Sequence, residues 1–73
     1  MREWICGRNP VFEVLRAGRR QPFRLSIAQG SQEKGRLAEI IQLCERKKIP
    51  LERVSRQRLD TLGNGHQGVV LEA

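Results

Sequence analysis

The chain predicts an α/β fold, one small domain in which strands and helices alternate. Four apolar runs with strand character are separated by three helical patterns over 73 residues. The clearest helical pattern places Leu37, Ile40, Ile41 and Cys44 at i, i+3, i+4 and i+7. The sequence closes on Val69-Val70-Leu71, a continuous apolar run that reads as a strand covered on both faces. Such alternation implies a sheet with helices on both sides. The first three strands are expected to be parallel, joined by right-handed crossovers.

Trp4 to Cys6 is the first strand, and Gly7-Arg8 the turn after it. Asn9 reads as the N-cap of the first helix and Pro10 as its first residue, where a missing N–H costs nothing. Val11, Val14 and Leu15 form the apolar stripe, with Phe12 beside it, and Gly18 is the left-handed stop. Phe23, Leu25 and Ile27 alternate with Arg24, Ser26 and Ala28, which is strand periodicity. A polar loop, Gln29 to Gly35, leads into the second helix. That helix ends on Arg46-Lys47-Lys48, whose charges complement the dipole, before Pro50. Leu51 to Val54 is the third strand. Ser55 caps a short third helix, with Val54 and Leu59 as a hydrophobic staple across the cap, and Gly63 ends it. The direction of the last strand is not fixed by this pattern.

Hydrophobic residues make up 38% of the chain and are periodic, so it is expected to fold despite its size. The net charge is +6, and eleven of the 14 basic residues are Arg. The forked guanidinium matches phosphate and stacks on bases, which points to nucleic acid. A membrane partner is not expected. No helix combines a basic face with large apolar groups, and no apolar run approaches spanning length. Cys6 and Cys44 have no ligand partner at zinc spacing and read as small buried hydrophobes in a reducing compartment. The cytoplasm is the expected location, since no signal peptide precedes the first strand.

Gly30 and Gly35 have phosphate-loop spacing, but Arg36-Leu37 stands where that motif needs Lys and then Ser or Thr. His66 is the single histidine, with no acid–base partner evident. His66 and Gln67 read as a hydrogen-bonding pair at the mouth of the last strand, holding the Gly63–Gly65 turn, touching a ligand, or both. In a parallel sheet the loops after the first three strands emerge at one edge. If the last strand runs antiparallel, its entry loop arrives there too. Open α/β sheets bind ligands at such carboxyl-end crevices. Arg8, Lys34, Arg36, Arg56 and Arg58 would ring this edge, with Asn9, Asn64, His66 and Gln67 as further binding candidates. Arg16, Arg19, Arg20, Arg24 and Arg46–Lys48 fall on the opposite edge, where helix C-termini account for much of the positive charge.

Three segments carry a family resemblance. They are Ile5-Cys6-Gly7-Arg8-Asn9-Pro10-Val11 with Glu13 and Leu15, the Arg36-Leu37-Ala38-Glu39-Ile40 helix, and His66-Gln67-Gly68-Val69-Val70. Together they resemble the N-terminal substrate-binding domain of the SpoU (TrmH) family of RNA 2′-O-ribose methyltransferases, over nearly the whole chain. The resemblance implies a three-layer α/β/α sandwich of order βαβαβαβ. Its mixed four-stranded sheet has the last strand antiparallel, as in the kink-turn-binding ribosomal proteins. It also implies that residues 1–73 form a single RNA-binding domain, which holds structured ribosomal or transfer RNA for a separate catalytic domain C-terminal to it. That domain would bind S-adenosylmethionine and form the homodimer of the parent enzyme. The family's catalytic and cofactor residues cannot be placed on this chain. Two competing readings are a free-standing kink-turn-type RNA-binding protein and a small ligand-sensing or interaction domain without an RNA role.

Overall fold

The computed structural model describes residues 2–73. Seven elements follow in the expected alternation: β1 (Trp4–Cys6), α1 (Arg8–Ala17), β2 (Arg24–Ala28), α2 (Arg36–Lys47), β3 (Leu51–Val54), α3 (Arg56–Leu62) and β4 (Val69–Glu72). The four strands form one mixed sheet of order β1-β4-β2-β3. β2 and β3 are parallel, with Leu25 opposite Leu51 and Ala28 opposite Val54. β4 lies between β1 and β2 and is antiparallel to both, with Leu71 opposite Ile5 on one side and Leu25 on the other. The last strand therefore fills the centre of the sheet.

Alternating side chains of β4 serve two cores, as the period of two requires. Val69 and Leu71 join Val11 and Leu15 of α1, Leu37, Ile40 and Cys44 of α2, and Leu25 and Ile27 of β2. Val70 points to the other face and joins Ala28 and Leu59, with Cys6, Val54 and Leu62 packed alongside. Helices α1 and α2 thus cover one face and α3 the other, a three-layer sandwich. Each fully buried Leu, Ile or Val contributes roughly 1.5–3 kcal/mol. Substitutions at adjacent β4 positions would disturb opposite layers, because neighbouring side chains feed opposite cores.

Local signals are satisfied where expected at most ends. The Ser55 hydroxyl accepts the N–H of Arg58 at 3.1 Å and caps α3. Val54 and Leu59 share one apolar cluster across that cap. Gly18 stops α1 in the left-handed conformation, its N–H bonded to the carbonyl of Val14. Two expectations need correction. Arg8, not Pro10, opens α1, and Gly7 occupies the N-cap position that the sequence assigns to Asn9. Pro10 still costs nothing, because it falls among the first four N–H groups that a helix leaves unpaired. Phe23 lies before β2 and is 44% exposed, its ring 4.5 Å from the Arg2 guanidinium. Glu72 ends β4 but is only 5% exposed, and its carboxylate is 2.7 Å from Arg2 Nη1.

Candidate nucleic-acid interface

Strand directions decide where the loops go. Because β1, β2 and β3 share one direction and β4 opposes them, the three strand-exit loops and the β4 entry loop meet at one edge. The meeting is close. A Cβ built on Gly7 would lie 3.3 Å from the Gly65 carbonyl oxygen and 3.6 Å from Gln67 Oε1. One built on Gly68 would lie 3.2 Å from Ser31 Oγ and 3.6 Å from Arg56 Nη2. Gly68 has φ +82, so both the backbone conformation and the close neighbours require glycine there. The turn at residues 66–68 is the hub on which the other loops converge.

This hub is held by its own polar groups. Gln67 adopts φ 51, unusual for a residue with a side chain. Its Oε1 accepts the N–H of Arg8 at 3.1 Å. That bond supplies the cap that Asn9 does not, and ties the start of α1 to the turn. His66 is 7% exposed. Its Nδ1 accepts the N–H of Gly68 at 2.9 Å, which leaves the ring proton on Nε2, 2.6 Å from Asp60 Oδ1. Both ring nitrogens are engaged inside the chain, so the imidazole shapes the turn and has no nitrogen left for acid–base work. Asp60 is the partner that sequence reasoning missed. It lies six residues earlier on α3, and only the fold brings it under the ring.

The loop after β2 is also anchored. Arg53 of β3 donates from Nε and Nη2 to the two carboxylate oxygens of Glu33, each at 2.8 Å. This forked contact holds the Glu33 carboxyl below the usual glutamate range, the hydrogen bond from Arg53 being the main cause. The loop carrying Ser31 and Lys34 is thereby fixed to the sheet edge.

The candidate residues divide by environment. Arg8, His66, Gln67 and Arg56 gather around the 66–68 turn. Asn9, Lys34, Arg58 and Asn64 share the edge by chain position and are exposed. Arg36 is drawn sideways: its guanidinium carbon stands 3.9 Å from the Phe12 ring centroid and its Nη1 3.2 Å from Glu39. Among the described residues, Arg8, Lys34, Arg56 and Arg58 form no ion pair. On the opposite edge Arg20 pairs with Glu3 and Arg24 with Glu52, while Arg16, Arg19 and Arg46–Lys48 remain unpaired among the described residues. A hollow of about 290 Å³ on that edge is bordered by Arg20, Lys47 and Lys48. The loop edge offers guanidinium groups, amide N–H groups and side-chain amides, which are donors suited to phosphate and to base edges.

Comparison with known proteins gives this geometry a context. A family model described as RNA 2′-O ribose methyltransferase substrate binding matches residues 4–73. Over 72 residues the chain is 42% identical to an uncharacterized tRNA/rRNA methyltransferase of Mycolicibacterium vanbaalenii, covering 96% of this chain and 23% of that protein. It is 37% identical over 73 residues to the human mitochondrial rRNA methyltransferase 1, covering 96% of this chain and 21% of that protein. The putative TrmH family tRNA/rRNA methyltransferase YacO of Bacillus subtilis is 32% identical over 71 residues, with 96% and 28% covered. The chain thus spans about a quarter of the length of the curated relatives it matches.

Proposed function

Because the chain belongs to the family of RNA 2′-O ribose methyltransferase substrate-binding domains, we propose that it holds structured ribosomal or transfer RNA along its loop edge for a separate catalytic domain. The observation that carries this reading is the convergence of four loops on the 66–68 turn, with Arg8 and Arg56 beside it and neither ion-paired among the described residues. Arg8, Asn9, Lys34, Arg36, Arg56, Arg58, Asn64 and Gln67 form the contact set. His66 contributes by holding the turn that presents them. Unpaired guanidinium groups lose little on meeting phosphate, whereas paired ones must first give up a carboxylate. Splayed bases and 2′-hydroxyls of structured RNA offer such donors more partners than a uniform duplex does.

The methyl donor, S-adenosylmethionine, belongs in this proposal to the catalytic domain of a parent enzyme, which would act in the cytoplasm as a homodimer through that domain. The cations of the loop edge do not suit the positively charged sulfonium of that cofactor. A sulfonium cation needs anionic or aromatic neighbours, and the loop edge is lined by guanidinium groups.

The test is a titration of the isotope-labelled chain with a bulged ribosomal RNA hairpin, followed through its amide resonances. Shifts are expected at residues 7–9, 29–36, 55–58 and 63–68. Shifts centred on residues 16–24 and 46–48 would refute the loop-edge reading. Binding should weaken by roughly 0.7–0.9 log units per log unit of salt for each phosphate contacted.

A further inference from the structure

Two buried side-chain atoms at the loop edge have no hydrogen-bond partner among the described residues: Arg8 Nε and Ser31 Oγ. Buried polar atoms are nearly always paired, because losing water without replacement costs more than a made hydrogen bond returns. Ser26 shows the ordinary solution in this same chain: buried in the sheet, its hydroxyl donates to Glu52 at 3.1 Å. The two unpaired atoms are not scattered. Ser31 Oγ and Arg56 Nη2 both lie on the side of Gly68 where a Cβ would stand. Arg8 is bonded through its backbone to Gln67. Ser31 Oγ and the backbone of Arg8 therefore both lie against the same turn. The turn's own side chains are already committed, His66 to Asp60 and the Gly68 N–H, and Gln67 to the Arg8 N–H.

We propose that Ser31 Oγ and Arg8 Nε are contact atoms for one stretch of RNA sugar–phosphate backbone that straddles the 66–68 turn, with Arg56 supplying charge beside Ser31. This rests on the RNA-binding reading above and adds to it a residue, Ser31, that carries no charge and belongs to no recognisable motif. Arg8 Nε is a donor only and fits a phosphate oxygen. The Ser31 hydroxyl both donates and accepts, so a phosphate oxygen or a ribose 2′-hydroxyl completes it equally.

The experiment compares the unsubstituted chain with Ser31→Ala and Arg8→Lys, using a bulged RNA hairpin and its 2′-deoxy counterpart. Thermal unfolding is measured on the same samples. Ser31→Ala should leave the stability of the free chain unchanged or slightly raised, because its hydroxyl makes no bond within the fold. The same change should weaken RNA binding about three- to tenfold, the effect of one hydrogen bond. Arg8→Lys keeps the charge, removes the Nε donor, and should also weaken binding. A loss confined to the ribose probe assigns the Ser31 partner to a 2′-hydroxyl; a loss on both probes assigns it to phosphate. If the unsubstituted chain binds the hairpin and Ser31→Ala binds as well, this inference is wrong while the RNA reading stands. A destabilised Ser31→Ala whose binding falls only in proportion to unfolding also overturns it. Failure of the unsubstituted chain to bind either probe overturns the RNA reading itself.

Discussion

The side-chain oxygen of Gln67 accepts the backbone N–H of Arg8 at 3.1 Å, across 59 residues of sequence. A helix start normally finds its cap in the residue before it. Here the cap arrives from the far end of the chain, so the order of α1 depends on the turn before β4. The same bond fixes the position of Arg8, one of the cations proposed to meet RNA.

Gln67→Ala should cost about 1 kcal/mol of stability, the usual loss of a capping bond. Gln67→Gly loses the same bond but relieves the left-handed backbone, itself strained by roughly 1 kcal/mol. Urea unfolding should therefore place the glycine variant close to the unsubstituted chain and well above the alanine variant. Equal stability of the two variants would show that the backbone at residue 67 carries no strain. An alanine variant as stable as the original would show that the cap contributes nothing.

Gly63 meets the Cys6 sulfur so closely that an added Cβ would overlap it. Its φ of 171 is ordinary extended backbone, so the constraint is space and not conformation. Gly63→Ala should destabilise by about 1–3 kcal/mol, the cost of overpacking. Combining it with Cys6→Ala, which removes the sulfur, should recover more than half of that loss. A double-mutant cycle with additive costs would show that the two residues do not compete for volume.

Burial pushes the Cys44 thiol up to about 11 from 9.0, slightly opposed by the nearby Lys47 charge. Between about pH 9 and about pH 11 the unfolded chain releases this proton and the folded chain keeps it. Stability is thus unaffected by this group below pH 9 and falls as pH rises through that window. The total loss is on the order of 2 kcal/mol. Burial raises the Cys6 thiol as well, which adds a slope of the same sign. Unfolding midpoints measured from pH 7 to 11 should show the decline, and Cys44→Ala should flatten most of it. An unchanged slope in that variant would assign the decline to other groups.

Charge reversal separates the two basic edges. Arg8→Glu with Arg56→Glu should weaken RNA binding by at least about tenfold, since each removes a charge-assisted contact and adds repulsion. Arg19→Glu with Arg20→Glu should weaken it less than about threefold, an effect of net charge alone. Circular dichroism confirms that both variants are folded before binding is compared. If the second pair is as damaging as the first, RNA lies on the helix C-terminal edge.

The parts of the fold legible in the sequence are those set by local periodicity. Leu37, Ile40 and Cys44 define α2, and Val69 to Leu71 define a strand buried on both faces, because each pattern is written within a few residues. Ser55 caps α3 for the same reason. What escaped depends on distant partners. Asn9 has the right chemistry for a cap, but Gln67 takes that role from across the fold. The burial of Glu72 and its contact with Arg2 follow from the central place of β4 in the sheet. The engagement of His66 with Asp60 follows from where α3 lies relative to the β4 entry loop. Ser31 gives no sequence signal at all, since a serine in a polar loop becomes unusual only when its hydroxyl is buried. The loop edge could be anticipated as a place, and its division into hub and periphery follows from how Ser31, Arg56 and Gly7 pack against the 66–68 turn.

The position of β4 also sets a timetable for folding. β1 and β2 touch only through this last strand, so no hydrogen bond can join them until residues 69–72 are present. During synthesis β2, α2 and β3 can form a parallel unit early, while β1 waits beside it with an open gap. Closure is then a single late event of long sequence separation, in which the gap is filled and both cores are completed together. A chain halted a few residues short would expose two strand edges and two half-built cores to its neighbours, so loss of the final strand should produce aggregation and not a slightly weakened domain.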